Sequence, residues 1–354
     1  MNKRLAKLRQ LMAKRGIDAF LAMRPENRRY LSGFTGTAGT LLVTATQALL
    51  FTDFRYTEQA AEQAPQFEVM MAGADLFGAL AGQELAMRHL GVEGDFITHE
   101  EYGKLQQALP QVDLVSCPEL INDLRAVKDA GEIAMIREAV RIADESFNRI
   151  LQSLQIGQTE EEIAVEMEFN MRRVGASGRS FDFIVASGSR SAMPHGVASP
   201  KKLQAGEFLT LDFGAVYQGY CSDITRTLCL GEPDEQQRAI YNIVLAANRA
   251  GIAAVRPGRT GKEVDAEVRR LIEEAGYGPN FGHGLGHSVG LAIHEGPNLN
   301  SREERVLEPG MTVTVEPGIY IPGWGGVRIE DLVVVTENGC EVLTRSPKEL
   351  IVIN

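Results

Sequence analysis

The chain has 354 residues, of which 44% are apolar and 23% charged, and its formal net charge is -11. This length suits two domains rather than one core. The acidic balance excludes a general nucleic-acid surface, which needs clustered Lys and Arg. No apolar run approaches the roughly 20 residues that span a bilayer, so we expect neither nucleic acid nor membrane among the partners. The four cysteines lack metal-type spacing, which predicts a reduced, cytoplasmic protein.

Alternating helical and strand patterns predict an α/β domain over residues 1–123. Residues 1–15 space Leu and Met at helical intervals among Lys and Arg, which predicts an amphipathic helix. The elements expected after it are strands at 18–23, 40–44, 48–51, 67–71 and 112–116 and a helix at 57–64. His89 and His99 are expected on helices of this domain, as structural residues.

A second domain is predicted over residues 124–354, after a break near residues 122–130. Its first signal is a capping box, with Asp129 as the N-cap and Glu132 at the third helical position. Apolar residues at helical spacing then predict a long amphipathic helix that runs to Leu154.

The second domain contains an internal repeat. Residues 203–214 align without a gap on residues 307–318, and each copy reads as a loop, an apolar strand, an acid and a glycine. Earlier in each half, residues 157–162 and 258–263 share the pattern Gly-x-Thr-x-x-Glu, a capping box that opens a helix ending at a glycine. We therefore expect two α/β halves related by an approximate two-fold axis.

The repeat carries two acids in each half. Asp212 ends a strand of the first half and Asp223 follows after a turn, while Glu316 and Glu330 take the same places in the second half. A carboxylate is costly to bury alone, and four together repel strongly unless a cation lies between them. Four acids are more than one ion normally uses, so the repeat predicts a pair of divalent metal ions where the halves meet.

Three of the six histidines, His283, His287 and His294, fall within twelve residues, among glycines that let backbones approach closely. One imidazole added to four carboxylates suits Mn²⁺, Co²⁺, Fe²⁺ or Zn²⁺ better than a thiolate site would. The other two histidines would then bind substrate or stabilise charge. His195, seventeen residues before Asp212, is a weaker candidate by itself.

Several motifs together resemble the creatinase/prolidase/methionine aminopeptidase family of metallopeptidases, and most closely its Xaa-Pro dipeptidase and aminopeptidase P branch. They are residues 194–196, 211–214, 222–227, 282–287, 315–320 and 326–331 of the second domain and residues 30–39 and 52–56 of the first. The first-domain motifs look closer to aminopeptidase P. The resemblance implies a creatinase/prolidase-like α/β N-terminal domain followed by a catalytic domain of the pseudo-two-fold "pita-bread" α+β fold.

The resemblance also implies a ligand set. Asp212 would bind the first metal ion, Asp223 and Glu330 would bridge the two ions, and His287 and Glu316 would complete the second. Every one of these positions carries a usable ligand, which is typical of an active member of the family. Mn²⁺ or Co²⁺ is expected, with Zn²⁺ or Fe²⁺ as alternatives.

The implied reaction is hydrolysis of the peptide bond before proline, by a water that bridges the two ions. Glu316 would accept the proton of that water and pass it to the leaving nitrogen. His294 would stabilise the oxyanion and His195 would hold the substrate near its scissile bond. His283 and Arg328 match family positions that face the proline residue, and Arg328 would be available for a carboxylate or for support of an Asp or Glu of the site. Arg328 could instead form a structural ion pair with an acid that the site does not use.

The expected partners are short peptides with proline at the second position and a second copy of the chain, in a homodimer. The first domain would support oligomerisation and gate substrate entry, with Arg55 and Tyr56 as candidates to reach a partner's site. The choice between dipeptidase and aminopeptidase stays open. The competing interpretations are a methionine aminopeptidase, a non-catalytic peptide-binding member of the fold, and a metal-dependent hydrolase of another bond such as a phosphoester.

Overall fold

The computed structural model describes residues 3–73, 75–83 and 86–354. The chain divides into two compact units, Met1–Arg125 and Ala126–Asn354. Met1 and Asn2, the start of the predicted N-terminal helix, lie outside the described residues. In the part of the chain that the structure covers, no helix is long and apolar enough to cross a membrane.

The first unit is built around one mixed six-stranded sheet. Its helices are α1 (Lys3–Arg15), α2 (Pro25–Ser32), α3 (Thr57–Gln63), α4 (Leu76–Ala81), α5 (His99–Ala108) and α6 (Glu119–Ala126). Its strands are β1 (Ala19–Ala22), β2 (Thr40–Thr44), β3 (Ala48–Thr52), β4 (Glu68–Met71), β5 (His89–Val92) and β6 (Asp113–Ser116). The strand order is β4-β3-β2-β1-β5-β6, in which β2 runs antiparallel to both of its neighbours.

Every strand predicted in the first unit is present within one or two residues of its expected bounds. The placement of His89 on a helix was wrong, because His89 begins strand β5. Leu90 and Val92 are buried there, and so short an apolar run does not reveal by periodicity whether it is strand or helix. Helix α6 also runs through the start of the predicted break near residues 122–130.

The second unit contains two pairs of helices: α7 (Ala130–Ser153) with α8 (Glu160–Arg173), and α9 (Glu235–Ala254) with α10 (Gly261–Glu274). The three predicted capping boxes are confirmed, since Asp129, Thr159 and Thr260 each accept from a backbone N–H while the N3 glutamate bonds back. Helices α8 and α10 end two residues before Gly175 and Gly276, which adopt φ values of 112° and 87°. These are the left-handed C′ glycines that the sequence predicted.

The strands of the second unit form several small sheets. They are β7 (Gly178–Arg179), β8 (Ile184–Ser187), β9 (Phe208–Phe213), β10 (Ala215–Tyr217), β11 (Tyr220–Cys221), β12 (Ile224–Leu230), β13 (Gly286–Ser288), β14 (Glu295–Leu299), β15 (Thr312–Val315), β16 (Gly318–Ile321), β17 (Gly325–Arg328), β18 (Asp331–Thr336), β19 (Gly339–Val342) and β20 (Ile351–Ile353). The two sheets that matter for the site are β20-β12-β9-β8 and β15-β18-β19.

The sequence repeat is also a structural repeat. In the first half β9 pairs antiparallel with β12, and the short strands β10 and β11 lie between them in the chain. In the second half β15 pairs antiparallel with β18, and the hairpin β16–β17 lies between them. Each half has its own apolar core, one beneath α7 and α8 and the other beneath α9 and α10. Phe147 of α7 stacks on Phe213 of β9 with ring centroids 5.8 Å apart, so the first core reaches the strand that carries Asp212.

Candidate metal centre

The paired strands bring the four repeated acids to equivalent places. Asp212 lies opposite Thr225 in the β9–β12 pair, so Asp223, just before β12, stands beside it. In the other half Glu316 directly follows β15 and Glu330 directly precedes β18. Since the two strands of an antiparallel pair bring such ends together, each half presents two carboxylates at one edge.

A glycine allows the histidine strand β13 to approach the second half. A Cβ atom on Gly286 would fall 2.0 Å from the carbonyl oxygen of Thr314, a distance that no side chain tolerates. His287 then donates its backbone N–H to the Thr314 hydroxyl at 3.0 Å, and that hydroxyl donates to Glu316 at 3.1 Å. The glycine before His287 therefore sets how near this imidazole comes to Glu316.

Asp223, His287 and Glu330 each offer a ligand atom, and these atoms lie within 4.8 Å of one another. The Nε2 atom of His287 lies 3.5 Å from an oxygen of Asp223 and 3.5 Å from an oxygen of Glu316, longer than ordinary hydrogen bonds. His287 Nδ1 lies 3.1 Å from the carbonyl of Ser288 and can only donate to it. That bond leaves the lone pair of Nε2 directed at the carboxylates, as in a metal-ligating histidine.

Three carboxylate oxygens in this cluster are buried without a hydrogen-bond partner: Oδ1 of Asp212, Oδ1 of Asp223 and Oε1 of Glu330. A buried polar group without a partner costs free energy, and a buried charge costs more. One oxygen of Glu330 is satisfied by the Thr225 hydroxyl at 2.7 Å. A divalent cation between the unmatched oxygens would supply the interaction they lack, so the residues present fit a metal site.

The electrostatics of the cluster agree with this fit. Burial raises the pKa of Asp223 well above its usual value, and the neighbouring carboxylates of Glu330 and Asp212 raise it further. Burial likewise raises the pKa of Glu330 and of Glu316, and it lowers the pKa of His287. A cation that binds here would therefore compete with protons for Asp223, Glu330 and Glu316, while burial favours the neutral form of the His287 imidazole.

Arg328 lies behind the cluster, only 3% exposed, and uses all three of its nitrogens. It donates to Asp212 Oδ2 at 2.6 Å, to the Tyr320 hydroxyl at 2.9 Å, to the Pro194 carbonyl at 3.2 Å and to the Thr225 hydroxyl at 3.1 Å. A direct contact between Arg328 and the proline of a substrate stays a prediction. The bond from Arg328 to Asp212 is the support of a site acid that the sequence left open, rather than an ion pair with an acid outside the site.

Both ring nitrogens of His283 also have hydrogen-bond partners within the protein. Its Nδ1 donates to the Gly284 carbonyl at 2.7 Å, and its Nε2 lies 2.9 Å from the Tyr320 hydroxyl. Burial lowers the pKa of His283 and raises the pKa of Tyr320 to about 12, so both groups stay neutral near pH 7. A chain of hydrogen bonds thus connects His283 through Tyr320 and Arg328 to Asp212.

A cavity of about 840 Å³ opens onto the cluster. All nine site residues proposed from the sequence line it: His195, Asp212, Asp223, His283, His287, His294, Glu316, Arg328 and Glu330. The rings of His195 and His294 are exposed and form no hydrogen bond with any described residue. His294 packs edge-on against His287 with ring centroids 4.5 Å apart. Two imidazoles are thereby left for a ligand.

Sequence reasoning missed several supporting residues. Thr225 and Thr314 each hold one oxygen of a cluster acid, and Tyr320 connects Arg328 to His283. A signal for Thr314 was present, because residues two apart in a strand share a face and Thr314 stands two before Glu316. Arg302 at the cavity lay outside every motif.

Two pseudo-symmetric halves around a buried cluster of acids and one histidine are typical of a metal-dependent hydrolase. Residues 134–337 match the model of metallopeptidase family M24, and residues 4–127 match the creatinase/prolidase N-terminal domain. The chain belongs to metallopeptidase family M24, so the predicted family and fold class are confirmed, and the protein is a peptidase. The family implies divalent metal ions as cofactors.

Three relatives cover almost the whole chain. A structure of a Xaa-Pro dipeptidase from Bacillus anthracis is 48% identical, with a TM-score of 0.97 over 99% of both chains. An Xaa-Pro dipeptidase of Pyrococcus horikoshii is 39% identical over 99% of each sequence. A structure of an X-Pro aminopeptidase from Thermotoga maritima is 40% identical, with a TM-score of 0.89, and covers 97% of this chain and 100% of that one.

Proposed function

We propose that this protein is a dinuclear-metal Xaa-Pro peptidase, which hydrolyses the peptide bond before a proline residue. The observation that carries the proposal is a set of three buried carboxylate oxygens without a hydrogen-bond partner, on Asp212, Asp223 and Glu330. Two of these acids, Asp223 and Glu330, group with His287 as ligands that one metal ion could reach, and the residues line a cavity with two further histidines that form no hydrogen bond to a described residue. The names of the relatives support the Xaa-Pro specificity. A methionine aminopeptidase, which would share the ligand set, is the alternative.

In this proposal Asp212 would help to hold one ion, Asp223 and Glu330 would be shared by both, and His287 and Glu316 would complete the second. Carboxylate oxygens with a single imidazole favour Mn²⁺ or Co²⁺. When bound, such cations acidify a water molecule to a nucleophile near neutral pH and polarise the scissile carbonyl.

The side chains of the cavity would do the rest. Glu316 can accept a proton, because burial raises its pKa toward the pH at which general bases work well. His294, which packs against His287, would stabilise negative charge on the carbonyl oxygen, and His195, which lines the cavity, would hold the peptide. Proline brings no N–H and a fixed ring, so its pocket needs few hydrogen-bond partners for that nitrogen.

The direct test is an assay of chelator-stripped protein on Ala-Pro, with and without added Mn²⁺ or Co²⁺. We expect no hydrolysis by the stripped protein and recovery on addition of metal. Full activity without metal would contradict the proposal, and preferential cleavage of Met-Ala would favour a methionine aminopeptidase.

Arg302 bears on the choice between dipeptidase and aminopeptidase. Of the three arginines that line the cavity, Arg328 is saturated, and Arg269 donates to Asp265 and to the carbonyls of Phe281 and His283. Arg302 is exposed there and forms no ion pair within the described ranges. We infer that it receives the C-terminal carboxylate of an Xaa-Pro dipeptide, which would make the enzyme a dipeptidase.

Replacing Arg302 by Gln should therefore raise KM for Ala-Pro by roughly tenfold or more, because a hydrogen bond to a charged group contributes about 1.5–3 kcal/mol. Hydrolysis of Ala-Pro-amide, which lacks that carboxylate, should change little. Steady-state kinetics on both substrates measures the difference. Equal losses on both, or none, would contradict the inference.

The conservative change of Arg328 to Lys should lower metal affinity and kcat/KM by about 10–100-fold, the usual effect of losing a group that orients a ligand. A lysine cannot bond at once to Asp212, Tyr320 and a carbonyl, as the planar guanidinium does. Calorimetric titration with Mn²⁺ measures the affinity. The matched control is Arg270 to Lys, at an exposed ion pair with Glu274, where neither quantity should change.

For the first unit we propose a role in homodimer formation and in restricting the substrate to short peptides. Arg55 forms a bidentate pair with Asp53, at 2.9 and 2.8 Å, and Tyr56 lies 2.6 Å from the Thr37 hydroxyl. These bonds hold rigid the segment whose Phe54 side chain is 79% exposed. Light scattering of the whole protein would test the dimer.

A further inference from the structure

Lys128 buries its ammonium group close to the metal cluster. The side chain is 1% exposed, and Nζ donates to the Ser288 hydroxyl at 2.8 Å and lies 3.4 Å from a carboxylate oxygen of Glu295, itself 6% exposed. Burial of such a pair costs free energy unless the geometry and further hydrogen bonds compensate it. A buried ion pair often adds little to the stability of a fold, so stability alone does not explain why this pair is buried at this position.

The two partners of Lys128 face each other across one strand pair. Ser288 of β13 and Glu295 of β14 are paired residues, and the register shifts by a bulge between His287 and Ser288. His287 immediately precedes Ser288, and His294 immediately precedes Glu295. The ammonium therefore contacts both strands at the residues that follow His287 and His294, two of the four histidines that line the cavity.

Other contacts lock the same two partners. The Ser288 hydroxyl lies 3.3 Å from the Thr312 hydroxyl, and Glu295 accepts from the backbone of Ala292 at 2.9 Å. A Cβ atom on Gly290 would fall 2.6 Å from the Glu295 carboxylate, so this carboxylate fills the turn between the strands. Both strands of the β13–β14 pair and the turn between them therefore contact the charged pair of Lys128 and Glu295.

We propose that Lys128 is a positioning residue: it fixes the β13–β14 pair so that His287 directs Nε2 at the carboxylates while His294 faces the cavity. The functional roles of the two histidines rest on the proposed function above. The geometric part does not, because it rests on the packing of the two rings, whose centroids lie 4.5 Å apart with planes at 71°.

The test uses the full-length protein and two variants, Lys128→Met and the doubly neutral Lys128→Met/Glu295→Gln. In the metal-free state, NMR of ¹⁵N-labelled histidine rings should show shifted signals for His287 and His294 in both variants. Mn²⁺ affinity, measured by calorimetry, should fall roughly tenfold or more in both. Lys262→Met, at an exposed ion pair with Glu304 of the same unit, should change neither measurement.

A second control separates positioning from stability. Val268→Ala opens a cavity in the second core, so it should lower the melting temperature without moving the histidine signals. The proposal is overturned if the Lys128 variants behave like Val268→Ala, or if the double variant restores wild-type signals and affinity. If Lys128→Met alone does not fold, the double variant decides. Wild-type protein inactive on Ala-Pro would refute the proposed function but leave the NMR result standing.

Discussion

Replacing Glu330 by Gln is expected to lower kcat/KM on Ala-Pro by at least about 10³-fold, equivalent to about 4 kcal/mol of transition-state stabilisation. Glu330 is the proposed bridging ligand from the second half, and its Oε1 is one of the buried oxygens without a partner. An amide keeps the bond to Thr225 within reach but removes the negative charge that two cations would share. Mn²⁺ titration should show the loss of binding together with the loss of activity.

The same substitution should make the metal-free protein more stable at neutral pH. Burial and the charges of Glu316 and Asp212 raise the pKa of Glu330, so ionisation of Glu330 is harder in the folded chain than in the unfolded one. This penalty is absent below the unfolded pKa of about 4.3 and grows as the pH rises above it. We therefore expect Glu330→Gln to be more stable than the wild type at pH 7 and about equally stable near pH 4.

Urea unfolding of the chelator-treated protein at the two pH values measures this gain. The matched control is Glu308→Gln, an exposed glutamate in the loop before β15, which should alter neither activity nor stability. A Glu330→Gln variant that kept its activity would remove the bridging role. If Glu330→Gln were less stable than the wild type at pH 7 in the absence of metal, the ionised carboxylate of Glu330 would not be destabilising the fold.

Replacing the next residue, Asp331, by Asn is expected to destabilise the protein by about 3–5 kcal/mol, because it breaks a buried ion pair by removing one partner. Asp331 accepts from Arg226 at 2.9 Å, from Lys348 at 2.5 Å and from the Thr344 hydroxyl at 2.7 Å. The side chains of both Arg226 and Asp331 are 1% exposed. With Asn at this position the guanidinium of Arg226 stays buried but no longer has a negative charge beside it.

The effect should depend on pH in the opposite sense to that of Glu330. Burial alone would raise the pKa of Asp331, but Arg226 and Lys348 outweigh it and hold the pKa below its usual value. A depressed pKa adds stability above the unfolded pKa of about 3.9, and that stability is lost as the pH falls through the folded pKa. The deficit of Asp331→Asn should be full at pH 7 and shrink below about pH 4.

Urea unfolding at pH 7 and at acidic pH checks this prediction. Asp113→Asn is the control, because that carboxylate is 85% exposed and its loss should change stability by less than about 0.5 kcal/mol. A deficit at pH 7 comparable to that of the control would contradict the account of the buried pair.

Glu330 and Asp331 also show what the sequence could predict and what it could not. The repeat identified Glu330 as a candidate ligand, because its counterpart Asp223 follows an equivalent strand end. The local sequence does not distinguish the candidate ligand Glu330 from the structural acid Asp331 beside it. The two differ because the side chains of adjacent residues in an extended segment point to opposite faces. Arg226 and Lys348, which neutralise Asp331, come from distant parts of the chain that only the folded sheet brings together.

The capping boxes and C′ glycines were predictable because they depend on residues three or four apart. The engagement of Arg328 and His283 was not, because Tyr320, Pro194 and Asp212 reach them through tertiary packing. The resemblance to known metallopeptidases named these positions but could not show whether they face a substrate or support a ligand.

We propose that Asp212, Asp223, His287, Glu316 and Glu330 together hold a pair of divalent cations. Anomalous diffraction from crystals grown with Mn²⁺ would show whether the ions bind there. We predict two anomalous peaks among these five side chains, with Asp223 and Glu330 touching both. A single peak, or peaks bound elsewhere in the molecule, would contradict it.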